Sequence, residues 1–221
     1  MKKLLVFVCM LSSLLFSCSV DDTQGEKFLP STIFVKNGPE GVITFDYDDE
    51  RRISSMHIEY GFDTYTYIFV YNSDDTVQSM VYNGNSTTSI STMEYINGHV
   101  SSIITNSKVT DVSFANGTYI MDDFEYPIDK NQNLTGFLNL EINYGNGKGP
   151  FYAVNIDGSV LLGVNRLLQI THFLSKNEMT SYYEYDITNT HDENGILKEV
   201  FMESRLPNER DIHYTISYIS Y

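Results

Sequence analysis

Five histidines are the first residues to test for chemistry: His57, His99, His172, His191 and His213. Histidine metal sites usually place two imidazoles about three to five residues apart, so that both reach one ion. No two of these five have that spacing, and His57 and His213 fall on the polar side of alternating segments, where a solvated imidazole is ordinary. Asp129-Lys130-Asn131-Gln132-Asn133 offers alternating oxygens like the opening of a calcium loop, but Leu134 stands where such a loop needs glycine. Asp46, Asp48 and Asp49 form a second oxygen-rich cluster; Asp and Asn are also what tight turns require, and turn chemistry is the reading preferred for both. No Gly-x-Ser-x-Gly elbow or phosphate loop occurs, and nothing marks two of the many carboxylates as a glycosidase pair. The expectation is a protein that is not an enzyme, with no metal and no cofactor.

The two cysteines carry a different message. Met1-Lys2-Lys3 precedes an apolar run from Leu4 to Phe16, then Ser17-Cys18. Two lysines before a short apolar stretch have the pattern of an export signal. The run is shorter than the ~20 residues a membrane-spanning helix needs. Leu15-Phe16-Ser17-Cys18 resembles the lipobox of bacterial lipoproteins, which implies cleavage after residue 17 and lipid attachment at Cys18. Cys9 lies inside the leader, so the mature chain keeps one thiol and no internal disulfide. A diacylglyceryl group supplies the two apolar anchors that stable membrane attachment takes. Ser19-Val20-Asp21-Asp22 resembles a short acidic tag for surface export. The expected location is the outer membrane, on its periplasmic or its surface face.

Composition narrows the partners. Fourteen basic against 29 acidic residues give a net charge of −15, and loss of Lys2 and Lys3 with the leader takes it to −17. A domain this acidic repels nucleic acid and anionic membrane surfaces. Seventeen tyrosines and thirteen phenylalanines with only five prolines argue for a folded chain.

The elements that must position any site are hairpins. Tyr47, Tyr71 and Tyr95 are 24 residues apart, each followed by turn residues and then two apolar residues three apart: Ile53 and Met56, Val77 and Met80, Val100 and Ile103. Looser copies begin at Tyr126, before Leu134 and Phe137, and at Asp192-Glu193-Asn194-Gly195, before Leu197 and Val200. A period near 24 fits two strands and two turns. Between turns the apolar period is two: Met56, Ile58, Tyr60; Leu138, Leu140, Ile142, Tyr144; Ile212, Tyr214, Ile216, Tyr218. Each strand therefore has one dry and one wet face. Tyr65 to Tyr71 is apolar on both faces, which predicts a cover on its second side.

These features predict an all-β fold, an antiparallel meander of about ten strands curled into a barrel or half-barrel, since a large one-faced sheet must curl to hide its apolar side. A β-sandwich satisfies the same arithmetic. The domain plan is a signal peptide over 1–17, an acidic linker over 18–30 and one β domain over 31–221. Val160, Leu161, Leu162, Val164, Leu167 and Leu168 after Ser159 suggest a short helix near 159–168, capped by Ser159 and plugging or covering one end; two buried strands broken at Gly163 are the competing reading.

Lipobox, Tyr-Asp hairpin repeat, apolar midsection and the closing Tyr214-x-x-x-Tyr218 strand together resemble Bacteroides-type lipoproteins with a porin-like β fold, some of them described as lipid-binding. Among the repeat tyrosines only Tyr47, in Tyr47-Asp48, preserves the dipeptide of bacterial surface YD repeats. The resemblance implies a curled β domain and an apolar small-molecule ligand. The candidate cavity lining is then the dry face named above: Met56, Ile58, Tyr60, Leu138, Leu140, Ile142, Tyr144, Ile212, Tyr214, Ile216 and Tyr218. A surface interaction or scaffold role, accessory to glycan capture, is the alternative. Asp75-Thr76-Val77 resembles an O-glycosylation sequon, marking Thr76 as an acceptor.

Overall fold

The computed structural model describes residues 27–36, 40–137, 140–164 and 174–221. Within them the chain forms one antiparallel sheet of sixteen strands. The first eight are β1 (Phe28–Lys36), β2 (Gly41–Tyr47), β3 (Ile53–Tyr60), β4 (Asp63–Tyr71), β5 (Val77–Asn83), β6 (Thr88–Ile96), β7 (His99–Thr105) and β8 (Lys108–Ala115). There follow β9 (Thr118–Met121), β10 (Phe124–Pro127), β11 (Gly136–Phe137), β12 (Leu140–Lys148), the helix α1 (Gly158–Gly163), β13 (Asn177–Tyr182), β14 (Tyr185–His191), β15 (Leu197–Ser204) and β16 (Ile212–Ser220).

Neighbours in sequence are neighbours in space, and β1 also pairs with β16, so the meander curls round on itself. Its free edges, β10 and β11, meet at the Ile128–Leu134 bridge, where Thr135 N–H donates to Pro127 O at 2.8 Å. Phe137 packs across this seam against Tyr126, ring centres 5.2 Å apart. The result is a nearly closed barrel in a single sheet, not two facing sheets.

Four expectations need correction. There are sixteen strands rather than about ten, because clean alternation counts only strands with an unbroken apolar face. The β domain starts at Phe28, not 31: Leu29 is fully buried, and Pro30 sits at a register shift, where its missing N–H costs no ladder bond. Among the described residues the outer side of β4 has no cover, since Ile68 and Val70 remain 42% and 46% exposed beside Val81 and Ile90. Finally, the expected short helix forms over Gly158–Gly163, but its cap is Asp157 rather than Ser159: the Asp157 carboxylate accepts from Ser159 N at 2.8 Å. Residues 165–168 of the expected helix lie outside the described residues.

The apolar midsection enters the barrel. Phe151, Val154, Ile156, Val160, Leu161, Leu162, Val164 and Leu174 are all buried, and Phe151 meets Phe45 of β2 edge-on at 5.1 Å. This inserted segment gives the inward faces of the strands something to pack on; sixteen strands alone would enclose a wide lumen. Its entry is tied to the rim. Asn155 N–H donates to Arg51 O, and Asn155 Nδ2 donates to Asp75, while Arg52 pairs with Asp48 at 2.7 Å and Asp75 at 2.9 Å. Ser159 Oγ donates to Asp157 and accepts from Val77 N–H of β5.

The 24-residue period now has a physical meaning. Tyr47, Tyr71 and Tyr95 each stand at a one-residue register shift closing an even strand. Each hydroxyl reaches back to the preceding hairpin and donates to a carbonyl: Tyr47 to Pro30 at 2.6 Å, Tyr71 to Ile53 at 2.8 Å and Tyr95 to Val77 at 2.7 Å. Each tyrosine also pairs through its backbone with the first apolar residue of the next repeat, namely Ile53, Val77 and Val100. Successive hairpins are stitched together. In the looser copy Tyr126 packs on Phe137 instead, and Tyr144 supplies the bond, donating to Leu134 O at 2.8 Å.

Candidate functional site

The barrel has two unlike ends. Both described termini leave at one of them, the stitched end, where Tyr221 N–H donates to Lys27 O and its hydroxyl to Asp48 O. Four of its connections are one turn used repeatedly, starting at Asp48, Asn72, Asp129 and Asp192. In each, the first N–H donates to the fifth residue's carbonyl, and the fourth residue is left-handed: Arg51, Asp75, Gln132 and Gly195, with φ between 63° and 74°. Asp48, Asp129 and Asp192 spend a carboxylate oxygen on two amides of their own turn. The calcium-like segment at Asp129 is such a turn, and Asn133, fully buried, fastens it to β13 through Asn177.

At the opposite, mouth end the same strands are joined by four two-residue loops, Gly61-Phe62, Asn106-Ser107, Asp122-Asp123 and Tyr183-Glu184, and by the longer residues 84–87 and 205–211. Aromatic side chains stand out there. Phe62 is fully exposed and Tyr183 is about half exposed at its turn tip. Tyr65 stacks on Tyr82 at 6.1 Å, and Tyr182 stacks on Tyr185 at 6.2 Å.

A pocket of about 110 Å³ lies toward this end, between α1 and the wall formed by β4 to β9. Leu162 and Gly163 of α1 are its floor. One wall, on β4 and β5, is Tyr67, Met80 and Tyr82; the next, on β6 to β8, is Ser89, Ser91, Ile103, Thr105 and Thr110; Met121 and Asp122 complete it. The hydroxyls arise from a break in the alternation. Toward the mouth the inner face of β6 passes from Tyr95 and Met93 to Ser91 and Ser89, and β7 passes from Val100 and Ile103 to Thr105. Ser91 is buried, and its hydroxyl bonds to that of Thr105 at 2.7 Å. Opposite Ser91 and Ser89 on β5 are Met80 and Tyr82.

Eleven dry-face residues were expected to line a cavity. Met56, Ile58, Ile142, Tyr214 and Ile216 are buried in the packed core, and Tyr60, Tyr144, Ile212 and Tyr218 are half-buried against it. Leu140 is half-buried and Leu138 lies outside the described residues. None of the ten described lines the pocket. A dry face can pack on the chain's own inserted segment as well as on a guest. Thr76 is in the turn after Asn72, its hydroxyl donating to Asp74 and accepting from Asn72. Cys18 and His172 lie outside the described residues.

The other histidines are dispersed. His57 bonds Thr66, His191 meets Glu178 at 2.9 Å, His213 meets Glu199 at 3.4 Å, and His99 stacks on Phe114 at 3.8 Å. Among the described residues no three His, Cys, Asp or Glu side chains gather to hold a metal. The titratable groups moved furthest are buried tyrosines along the whole barrel, Tyr144 and Tyr214 among them. Burial raises the Tyr47 and Tyr71 phenols well above the usual range and pushes Tyr95 and Tyr119 up to about 12. Burial likewise raises the Asp157 carboxyl, against the opposing effect of the bonds from Ser159.

No protein-family model matches the chain, and no curated protein sequence matches it. Among solved structures it is similar to a porin-like protein from Bacteroides uniformis ATCC 8492, at 13% identity and a TM-score of 0.42, covering 85% of this chain and 98% of that one. A porin-like protein from Bacteroides vulgatus ATCC 8482 aligns at 11% identity and a TM-score of 0.39, covering 87% and 99%.

Proposed function

We propose that this chain is a non-catalytic binding module, tethered to the outer membrane through lipid at Cys18, whose recognition face is the mouth end. The observation that carries this is the division of labour between the ends. Repeated five-residue turns, tyrosine stitches and both described termini gather at one end, while fully exposed Phe62, the two stacked tyrosine pairs and the pocket gather at the other. Loops held on a rigid scaffold are where recognition commonly resides. A chain tethered at its N-terminus would carry that face away from its anchor.

An apolar ligand inside the barrel is the reading favoured by the one-faced strands alone. The geometry favours the surface-interaction reading over it. Among the described residues the dry faces pack on the inserted segment, and about 110 Å³ is far below the ~300 Å³ at which ligand pockets usually begin. A membrane-spanning barrel is also disfavoured: Asp46, Glu59, Asp186 and Glu203 are exposed on the outer wall, where charges facing lipid are costly. Many strands here have seven or eight residues, against the ~9–11 that span a bilayer. The acidic charge argues against nucleic acid as a partner.

Thermal-shift and affinity screening against glycans, peptides and fatty acids tests the reading, with Phe62→Ala and Tyr183→Ala at the mouth compared with Asp49→Ala and Glu193→Ala at the stitched end. Hits are expected to weaken with the mouth variants alone. Hits that respond only to the stitched-end variants, or stoichiometric fatty-acid binding indifferent to all four, would overturn it.

A further inference from the structure

Resting on the mouth end as the recognition face, we infer that the pocket takes the uncharged, polyhydroxylated end of a larger ligand, such as a chain-terminal sugar unit. The argument starts from what a core does not need. Inward positions elsewhere on this sheet are filled by Ile, Val, Met, Phe and Tyr, yet toward the mouth β6, β7 and β8 present Ser89, Ser91, Thr105 and Thr110. A hydroxyl in place of a methyl costs burial energy, and it is retained at little cost where it keeps a partner. Ser91 and Thr105 bond to each other, which satisfies one donor and leaves the pair a further donor and acceptors for a guest.

The walls match the two kinds of surface on a sugar ring. Tyr67, Met80 and Tyr82 offer apolar and aromatic faces for C–H groups, while the hydroxyl wall follows directly in strand order. The lining contains no Lys, Arg or His, and the whole chain is strongly acidic, so an anionic ligand has no counter-charge. The single carboxylate, Asp122, is exposed on the β9–β10 turn rather than among the hydroxyls, where a buried cation would need it. Size sets the mode of entry. A closed cavity of about 150 Å³ holds one benzene, so about 110 Å³ admits part of a ring. The rest of the ligand must lie outside, toward the Tyr65–Tyr82 stack.

Calorimetric titration of the full chain in detergent micelles tests this. The probes are glucose, galactose, mannose, N-acetylglucosamine and their short oligomers, with glucuronate and glucosamine as charged counterparts. The expected result is binding of a neutral sugar, tighter for oligomers than monomers and tighter than either charged probe. Ser91→Ala and Thr105→Val should each weaken it roughly 2- to 10-fold, the range for loss of one hydrogen bond, with the melting temperature held. Equal binding of charged and neutral probes, unchanged affinity in both variants, or no binding of any probe overturns the inference. If a neutral sugar binds and only Phe62→Ala weakens it, the recognition face stands and the pocket is not its seat. If only Glu193→Ala weakens it, the recognition face falls as well.

Discussion

The stitched end and the mouth end are made by the same hairpins, yet they treat the chain differently. At the first, one five-residue turn recurs at Asp48, Asn72, Asp129 and Asp192, and tyrosine hydroxyls bind each hairpin to its neighbour. At the second, the loops range from two residues, at Gly61-Phe62, Asn106-Ser107, Asp122-Asp123 and Tyr183-Glu184, to seven at 205–211, and Phe62 is fully exposed to solvent among the described residues. The difference separates two demands. A meander must hold its register somewhere, and concentrating that task at one end releases the other from it. The stitches sit where the inserted segment enters, so register and core filling are secured together.

The largest effect expected from perturbing this arrangement lies at the inserted segment. Phe151→Ala should cost about 3–5 kcal/mol in denaturant unfolding, as buried Phe-to-Ala changes do, because Phe151 is fully buried against Phe45. A loss under ~1 kcal/mol would mean the barrel stands without its filling. Next come the stitches. Tyr71→Phe and Tyr95→Phe should each cost about 1–3 kcal/mol by stranding a part-buried carbonyl, whereas Tyr65→Phe at the mouth should cost under ~0.5 kcal/mol. Equal costs at both ends would erase the distinction.

Alkaline titration sharpens it further. A phenol whose folded value is raised contributes stability that is intact below its unfolded value near 10. That stability declines as pH rises from there through the folded value, about 12 for Tyr95 and Tyr119. The melting temperature should therefore fall above pH 10 and fall less steeply in Tyr95→Phe; an unchanged slope would mean that Tyr95 is not the titrating group. The smallest effect is expected at the mouth itself, where Phe62→Ser should leave the melting temperature within error, a change within about 0.5 kcal/mol. A clear loss would show that Phe62 packs on something.

Much of this was legible in the chain. The 24-residue tyrosine spacing marks hairpins, and Asp, Asn and Gly mark turns, because both follow from local backbone preferences. The strand count was not legible: β7 and β8 carry inward Thr105 and Thr110, so their apolar period is broken where the pocket begins. That break was the available signal for the site, and it reads as a weak strand until the neighbours of each position are known. The dry-face residues were legible as buried but not as core, since Met56 or Ile216 looks the same facing a ligand or facing its own chain.

Sequence alone therefore determined the alternation, the hairpin period and the turn chemistry, along with an acidic surface; each depends on residues close together in the chain. Only the tertiary structure decided that β10 and β11 meet at a seam, that residues 151–164 enter the barrel, and that Ser91 and Thr105 face Met80 and Tyr82 across a small pocket. Those arrangements join positions as far apart as Val77 and Ser159, whose meeting rests on closure of the whole sheet rather than on local preference.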